Sequence, residues 1–242
     1  MSNRNYQITV NDLNVDVVRK NIKHMHLAVH TADGRVRVSV PLRVKDEAVR
    51  VAVVSKMPWI RRQQRKLTGQ ERQSPKKFIS GESHYFRGNR YLLHVVYRDA
   101  PPKVAINEKK TIDMFVRTGS DAAKRERVML EWYRKQLKEI APPLIAKWEE
   151  IIGVEIVEWR IKRMKTRWGT CNIRARRIWL NLELAKWPIH CLEYIIIHEL
   201  VHLIERLHND QFVAHMDKFM PQWRLVRDEL NRGPLGHGEW EY

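Results

Sequence analysis

In "IIIHELVHLIERLHNDQF", residues Ile195 to Phe212, three histidines and a glutamate have the types and spacing of a hydrolytic metal site. Residues four apart on a helix share a face, so His198 and His202 can aim both imidazoles at one cation with Glu199 beside them. Zinc accepts neutral imidazole nitrogens, and a catalytic zinc site uses three protein ligands and leaves a fourth position for water. The ion lowers the pKa of that water towards ~7, and a nearby carboxylate takes its proton as the water attacks. Glu199 is the candidate general base. The structural alternative is an amphipathic helix that carries histidines by chance. Against it stands the apolar "EYIII" just before the motif, which buries this helix and desolvates its imidazoles, a cost that coordination offsets.

His208 is the candidate third ligand. Six residues at roughly 100° each would carry it off the face shared by His198 and His202. The helix must therefore end or bend near Leu207, and Asn209 or Asp210 suits such a break as a cap for the next helix. The spacing of the three histidines equals that of metzincin proteases, but Glu205 stands at their glycine position and no methionine turn follows, so the chain is not placed there. Glu229 is a second, acidic candidate for the third ligand.

The elements that must position these groups are legible in outline. "HMHLAVH" and "VRVSVP" read as strands joined by the Asp-Gly turn of "TADGR". "KDEAVRVAVVSKMPWIRRQQRKL" reads as helix with a break at Pro58. "FISGESHYFRGNRYLLHVVYRD" reads as a hairpin turning at Gly88-Asn89. From Asp121 the spacing becomes helical, as two helices or as one broken at Pro142-Pro143. Two β-like runs, "VEIVEWRIKRM" and "RRIWLNLEL", flank "KTRWGTCNIRA". The motif helix and one more helix, which Phe212 anchors, complete the chain. The expected class is α+β, with a β-rich region over 1–120 and a helical metal-binding domain over 121–242.

The chain has 242 residues, 43% of them hydrophobic, and a formal net charge of +17. That length and apolar content sustain a buried core and exclude a disordered tail. The charge points to an anionic substrate or to nucleic acid, with solubility as the plainer account. Two cysteines, Cys171 and Cys191, are too few for a disulfide framework or a cysteine-based zinc site. The N-terminus has no apolar leader and no stretch approaches a membrane span, so the expectation is a cytoplasmic chain without a membrane partner.

The blocks "SGESHYFRGNRYLLHV", "TRWGTC", "IWLNLELAKWP" and "YIIIHELVHLIERLHNDQFVAHMDKFMPQW" resemble, in order, those of the YgjP-like (DUF45) metallohydrolases, relatives of the SprT-like and WLM zincin proteases. The family's serine-containing "SRWGSC" becomes Thr166 to Cys171 here, with a hydroxyl kept at both threonines. The resemblance implies a zincin-like core, a zinc ion (or another divalent metal) on His198, His202 and His208, and Glu199 as base. It implies a metallopeptidase, and through one named relative a UTP-type nucleoside triphosphate pyrophosphohydrolase on the same metal site.

Arg167 can stabilise an oxyanion or bind substrate, or else pair with a structural carboxylate. Trp168 reads as core or as a substrate platform, and Gly169 as a turn residue. Lys162, Arg163, Lys165, Arg174, Arg176 and Arg177 put a positive field beside the site or form a solvated face. Asn181 can orient a loop near it, though a structural role is the main expectation. Arg61, Arg62, Arg65 and Lys66 form a basic ridge after Pro58 that can touch nucleic acid or simply face water. The reading is a zinc-dependent hydrolase cleaving a peptide or phosphoryl bond. A nucleic-acid-binding protein with a structural metal is the alternative from another class.

Overall fold

The computed structural model describes residues 5–30, 34–69, 76–164 and 167–232, with side chains described to 65 in the second span and to 231 in the last. The chain divides into two compact units, Met1–Arg72 and Gln73–Tyr242. In the first, β1 (Asn5–Val10), β2 (Leu13–Lys20), β3 (His26–Val29) and β4 (Val36–Pro41) form a sheet in the order β1-β2-β4-β3. Alternating valines of β2 and β4 are fully buried against Val49, Val53 and Ile60 of α1 (Asp46–Ser55) and α2 (Met57–Gly69). Pro58 sits at the second position of α2, where a missing N–H costs no helical bond. β3 and β4 pair antiparallel as the hairpin reading requires, although Thr31 to Asp33 of its turn lie outside the described residues.

The second unit carries the candidate site. β5 (Ser83–Phe86), β6 (Asn89–Tyr97), β7 (Lys103–Ile106) and β8 (Thr111–Val116) form a sheet in the order β5-β6-β8-β7. A smaller sheet of β9 (Glu158–Lys162), β10 (Gly169–Asn172) and β11 (Arg177–Asn181) has the order β10-β11-β9. Around them stand α3 (Ala122–Ile152), a 3-10 turn (Leu182–Lys186), α4 (Ile189–Val201), α5 (Asp210–Phe219) and α6 (Trp223–Arg232). The class is α+β.

Four sequence expectations are corrected here. The boundary falls at 72/73 and not near 120, because Phe86, Leu93, Ile112 and Met114 of the second sheet bury into the same core as α3 and α4. The β5–β6 turn is Arg87-Gly88, one residue earlier than read, and both residues take positive φ (48° and 80°), the backbone of a tight hairpin turn. α3 runs unbroken through Pro142-Pro143. Its stripe of Met129, Tyr133, Leu137, Ala141, Ile145, Trp148 and Ile152 is buried on both sides of the prolines, so packing outweighs the lost backbone donors. α4 ends at Val201 with His202 as its cap, well before Leu207.

Candidate metal centre

α4 is the axis of the site. From Leu192 to Val201 only Glu193 is not buried, so the helix is wrapped on nearly all sides and delivers His198 and Glu199 to a dry interior. Its early end serves His208. Leu203, Ile204 and Glu205 donate their amides to Leu200 and Val201 in tight turns, and the chain doubles back to Asn209. The Asn209 side chain accepts from the Phe212 amide at 3.0 Å and caps α5, as the sequence led one to expect. The bend swings His208 towards α4.

The three imidazoles converge. A ring nitrogen from each of His198, His202 and His208 lies within 4.8 Å of the other two, and the Nε2 atoms of His198 and His208 are 3.1 Å apart. Zinc–nitrogen bonds of about 2.0–2.1 Å would set tetrahedral ligands about 3.3 Å apart, so the pair already has the separation a shared ion needs. Burial lowers the pKa of His198 far below its ordinary value, with neighbouring His202 and His208 adding to the effect. Burial lowers His202 too and brings His208 to about 4. All three are therefore neutral at pH 7, the form that coordinates. The Nδ1 of His202 lies 3.1 Å from the Glu205 carbonyl, which as an acceptor fixes the proton on Nδ1 and leaves Nε2 its lone pair.

Phe212 lies under all three rings, with centroids at 4.9, 4.8 and 4.6 Å from those of His198, His202 and His208. Its anchoring of α5 was legible in the sequence; its place as the floor of the histidine cluster was not. Glu229 takes no part in this cluster. It pairs with His190 at 2.7 Å, so the acidic alternative for the third ligand is set aside.

Glu199 is buried, and burial raises its pKa to about 8, opposed by the charge of Arg167. Gly169 makes room for it. A Cβ at Gly169 would lie 2.7 Å from Glu199 Cγ and 2.8 Å from Ile195 Cγ2, and would overlap Glu199 Oε1. Gly169 is therefore not a turn residue, as its place in "RWGT" suggested: it opens β10, paired with Leu180, and is glycine because the carboxylate passes against it. Cys171, two residues on, also feels Glu199, though burial is the larger reason its thiol is pushed up to about 12.

Arg167 is exposed, and its segment is held by Asn181. The Asn181 side-chain amide donates to the carbonyls of Met164 at 2.9 Å and Arg167 at 2.7 Å, while its oxygen accepts from the Met164 and Glu183 amides. Both readings of Asn181 meet in these bonds: the residue is buried and structural, and what it holds is the loop that carries Arg167. Trp168 is 2% exposed and meets Trp187 edge to face at 5.7 Å. No face of it is open to a substrate, and the platform reading is corrected to core. The basic residues nearby are partly committed: Arg163 pairs with Glu126 and Glu183, and Arg177 with Glu158, while Arg176 donates to the Glu155 carbonyl. Lys165 lies outside the described residues.

A family model described as "YgjP-like, metallopeptidase domain" matches residues 23–233. No curated protein matches the chain. Among solved structures, the crystal structure of the metallopeptidase zymogen of Pyrococcus abyssi abylysin is similar at 20% identity and a TM-score of 0.37, covering 40% of this chain and 97% of that one. No described helix is long and apolar enough to cross a membrane. The extent of the family match leaves one conclusion: the chain belongs to the YgjP-like metallopeptidase-domain family and is a metal-dependent hydrolase.

Proposed function

We propose that the protein is a zinc-dependent peptidase in which His198, His202 and His208 hold the ion and Glu199 is the general base. The observation that carries this reading is the meeting of three neutral imidazoles within 4.8 Å beside a buried carboxylate. A zinc ion in that setting supplies Lewis acidity, polarising a scissile carbonyl and acidifying water.

The protein's own groups do the rest. Glu199, next in sequence to His198 and shielded from solvent, accepts a proton from water as its oxygen attacks the peptide carbonyl carbon, then returns it to the departing amine. Burial holds its pKa at about 8 even against the charge of Arg167, so a further positive charge nearby is what would ionise it at neutral pH. Arg167, exposed and electrostatically linked to Glu199, is placed to steady the negative charge that develops on the carbonyl oxygen. Asn181 keeps Arg167 in register, and Phe212 excludes water from the underside of the imidazoles.

The test is Glu199→Gln, assayed on unfolded protein substrates with nucleoside triphosphates in parallel. The variant should keep its zinc and lose about 10²–10⁴-fold in peptide turnover. Unchanged turnover overturns the base assignment. Consumption of triphosphates in place of peptides overturns the substrate class while leaving the metal centre intact. A purely structural metal would show as zinc bound with no turnover of either substrate by the unaltered protein.

A further inference from the structure

α3 and the second sheet flank a groove of about 990 Å³ whose charged lining residues are all positive but one. On the helix side stand Lys124, Arg127 and Lys135, spaced i, i+3 and i+11 on one face of α3 and spanning ~16 Å of its length. Facing them are Lys103 on β7 and Arg117 just beyond β8. All five are exposed. One carboxylate, Glu131, lines the groove with them, and it is engaged with Arg134 at 3.5 Å. Arg117 reaches Asp99 only at 3.9 Å, with both side chains well exposed. Five cations around one acid repel one another, and an anion threaded between them relieves that repulsion.

The floor is apolar and aromatic: Val104, Val116, Val128 and Trp132, with Pro101 and Pro102 at one end. Trp132 is half-buried and held by Phe86 and Tyr133 at 4.8 and 5.1 Å between centroids. A fixed indole beneath a row of cations is the arrangement that receives bases below and phosphates above. An acidic peptide would use the cations and leave the aromatic floor without a partner. We propose that this groove binds single-stranded nucleic acid, phosphates along Lys124, Arg127 and Lys135 and a base against Trp132. The inference stands apart from the metal centre and needs no ion.

The experiment measures fluorescence anisotropy of a labelled single-stranded deoxythymidine oligonucleotide titrated with the full chain at several salt concentrations. The triple reversal K124E/R127E/K135E should weaken binding about tenfold or more and flatten the salt dependence by about 2 in log–log slope. A second triple reversal, K23E/R43E/K56E, makes the same charge change on exposed residues of the first unit and should change affinity by less than about threefold. Equal weakening by both reversals, or none by the first, overturns the assignment of the groove. So does stronger binding of a polyglutamate peptide than of the oligonucleotide. Unchanged circular dichroism and melting of the first triple variant tie its loss to the groove and not to the fold; should it unfold, K124Q/R127Q/K135Q takes its place with the same expectations.

Discussion

At the scale of single residues, the account turns on how Glu199 is housed. A carboxylate in a dry site needs both a cation and a cavity of its own shape, and Gly169 provides the second. Gly169→Ala puts a methyl where Glu199 Cγ and Ile195 already lie. Because β10 is pinned by its pairing with β11, the side chain of Glu199 must give way. The variant should lose about 1–3 kcal/mol of stability from overpacking, and its peptide turnover should fall more than its zinc affinity. Zinc titration beside steady-state kinetics checks this, and turnover equal to that of the unaltered protein would place the carboxylate elsewhere. The histidines and Glu199 were readable because four-residue spacing on one helix is a local property. Gly169 was misread because its reason is a contact with a residue thirty positions away. Trp168 was ambiguous for a similar cause, since only its packing on Trp187 decides that it is core.

At the scale of elements, the turn between α4 and α5 makes the third imidazole available. The sequence required a break and offered Asn209 or Asp210 as its cap, of which Asn209 serves; it placed the end of α4 too late. Apolar Leu203 and Ile204 extend the helical pattern of α4 in sequence, yet the turns at 202–205 end the helix first. Glu205 holds this turn twice, through its carbonyl to the His202 ring and through its carboxylate to the Leu207 amide at 2.9 Å. Asn209→Ala removes the cap of α5 and should cost about 1 kcal/mol. It should also loosen His208, so zinc should bind several-fold more weakly while the protein stays folded. Competition against a chelating dye measures the affinity, and an unchanged value would show that the turn is held without the cap. Pro142-Pro143 teaches the converse lesson. A local rule breaks the helix there, and a buried stripe running the length of α3 overrides it.

At the scale of the whole molecule, sequence reading recovered the class and much of the order of elements, but it named neither β1 nor β2, took α5 and α6 for one helix and missed the grouping. The second sheet looks like a continuation of the β-rich beginning; only its shared core with α3 and α4 assigns it to the second unit. Burial in that unit also sets a pH dependence. His84 is 5% exposed, and burial first, then the charge of Lys76, hold its pKa at about 4, below its ordinary 6.5, with Glu82 opposing. The unfolded chain takes up this proton below pH 6.5 and the folded chain only near 4. Stability contributed by the neutral ring is thus complete above pH 6.5 and drains away as pH falls towards 4. Melting between pH 7 and 4.5 should drop by a few degrees more in the unaltered protein than in His84→Gln; parallel curves would refute it.

In the proposed metal centre one divalent ion is held jointly by imidazoles from α4 and from the turn beyond it. Zinc content per chain after dialysis, measured for the unaltered protein, His202→Ala and His208→Ala, tests it most directly. About one ion per chain is expected in the first and a value near zero in both variants. Full zinc retained in either variant would contradict it.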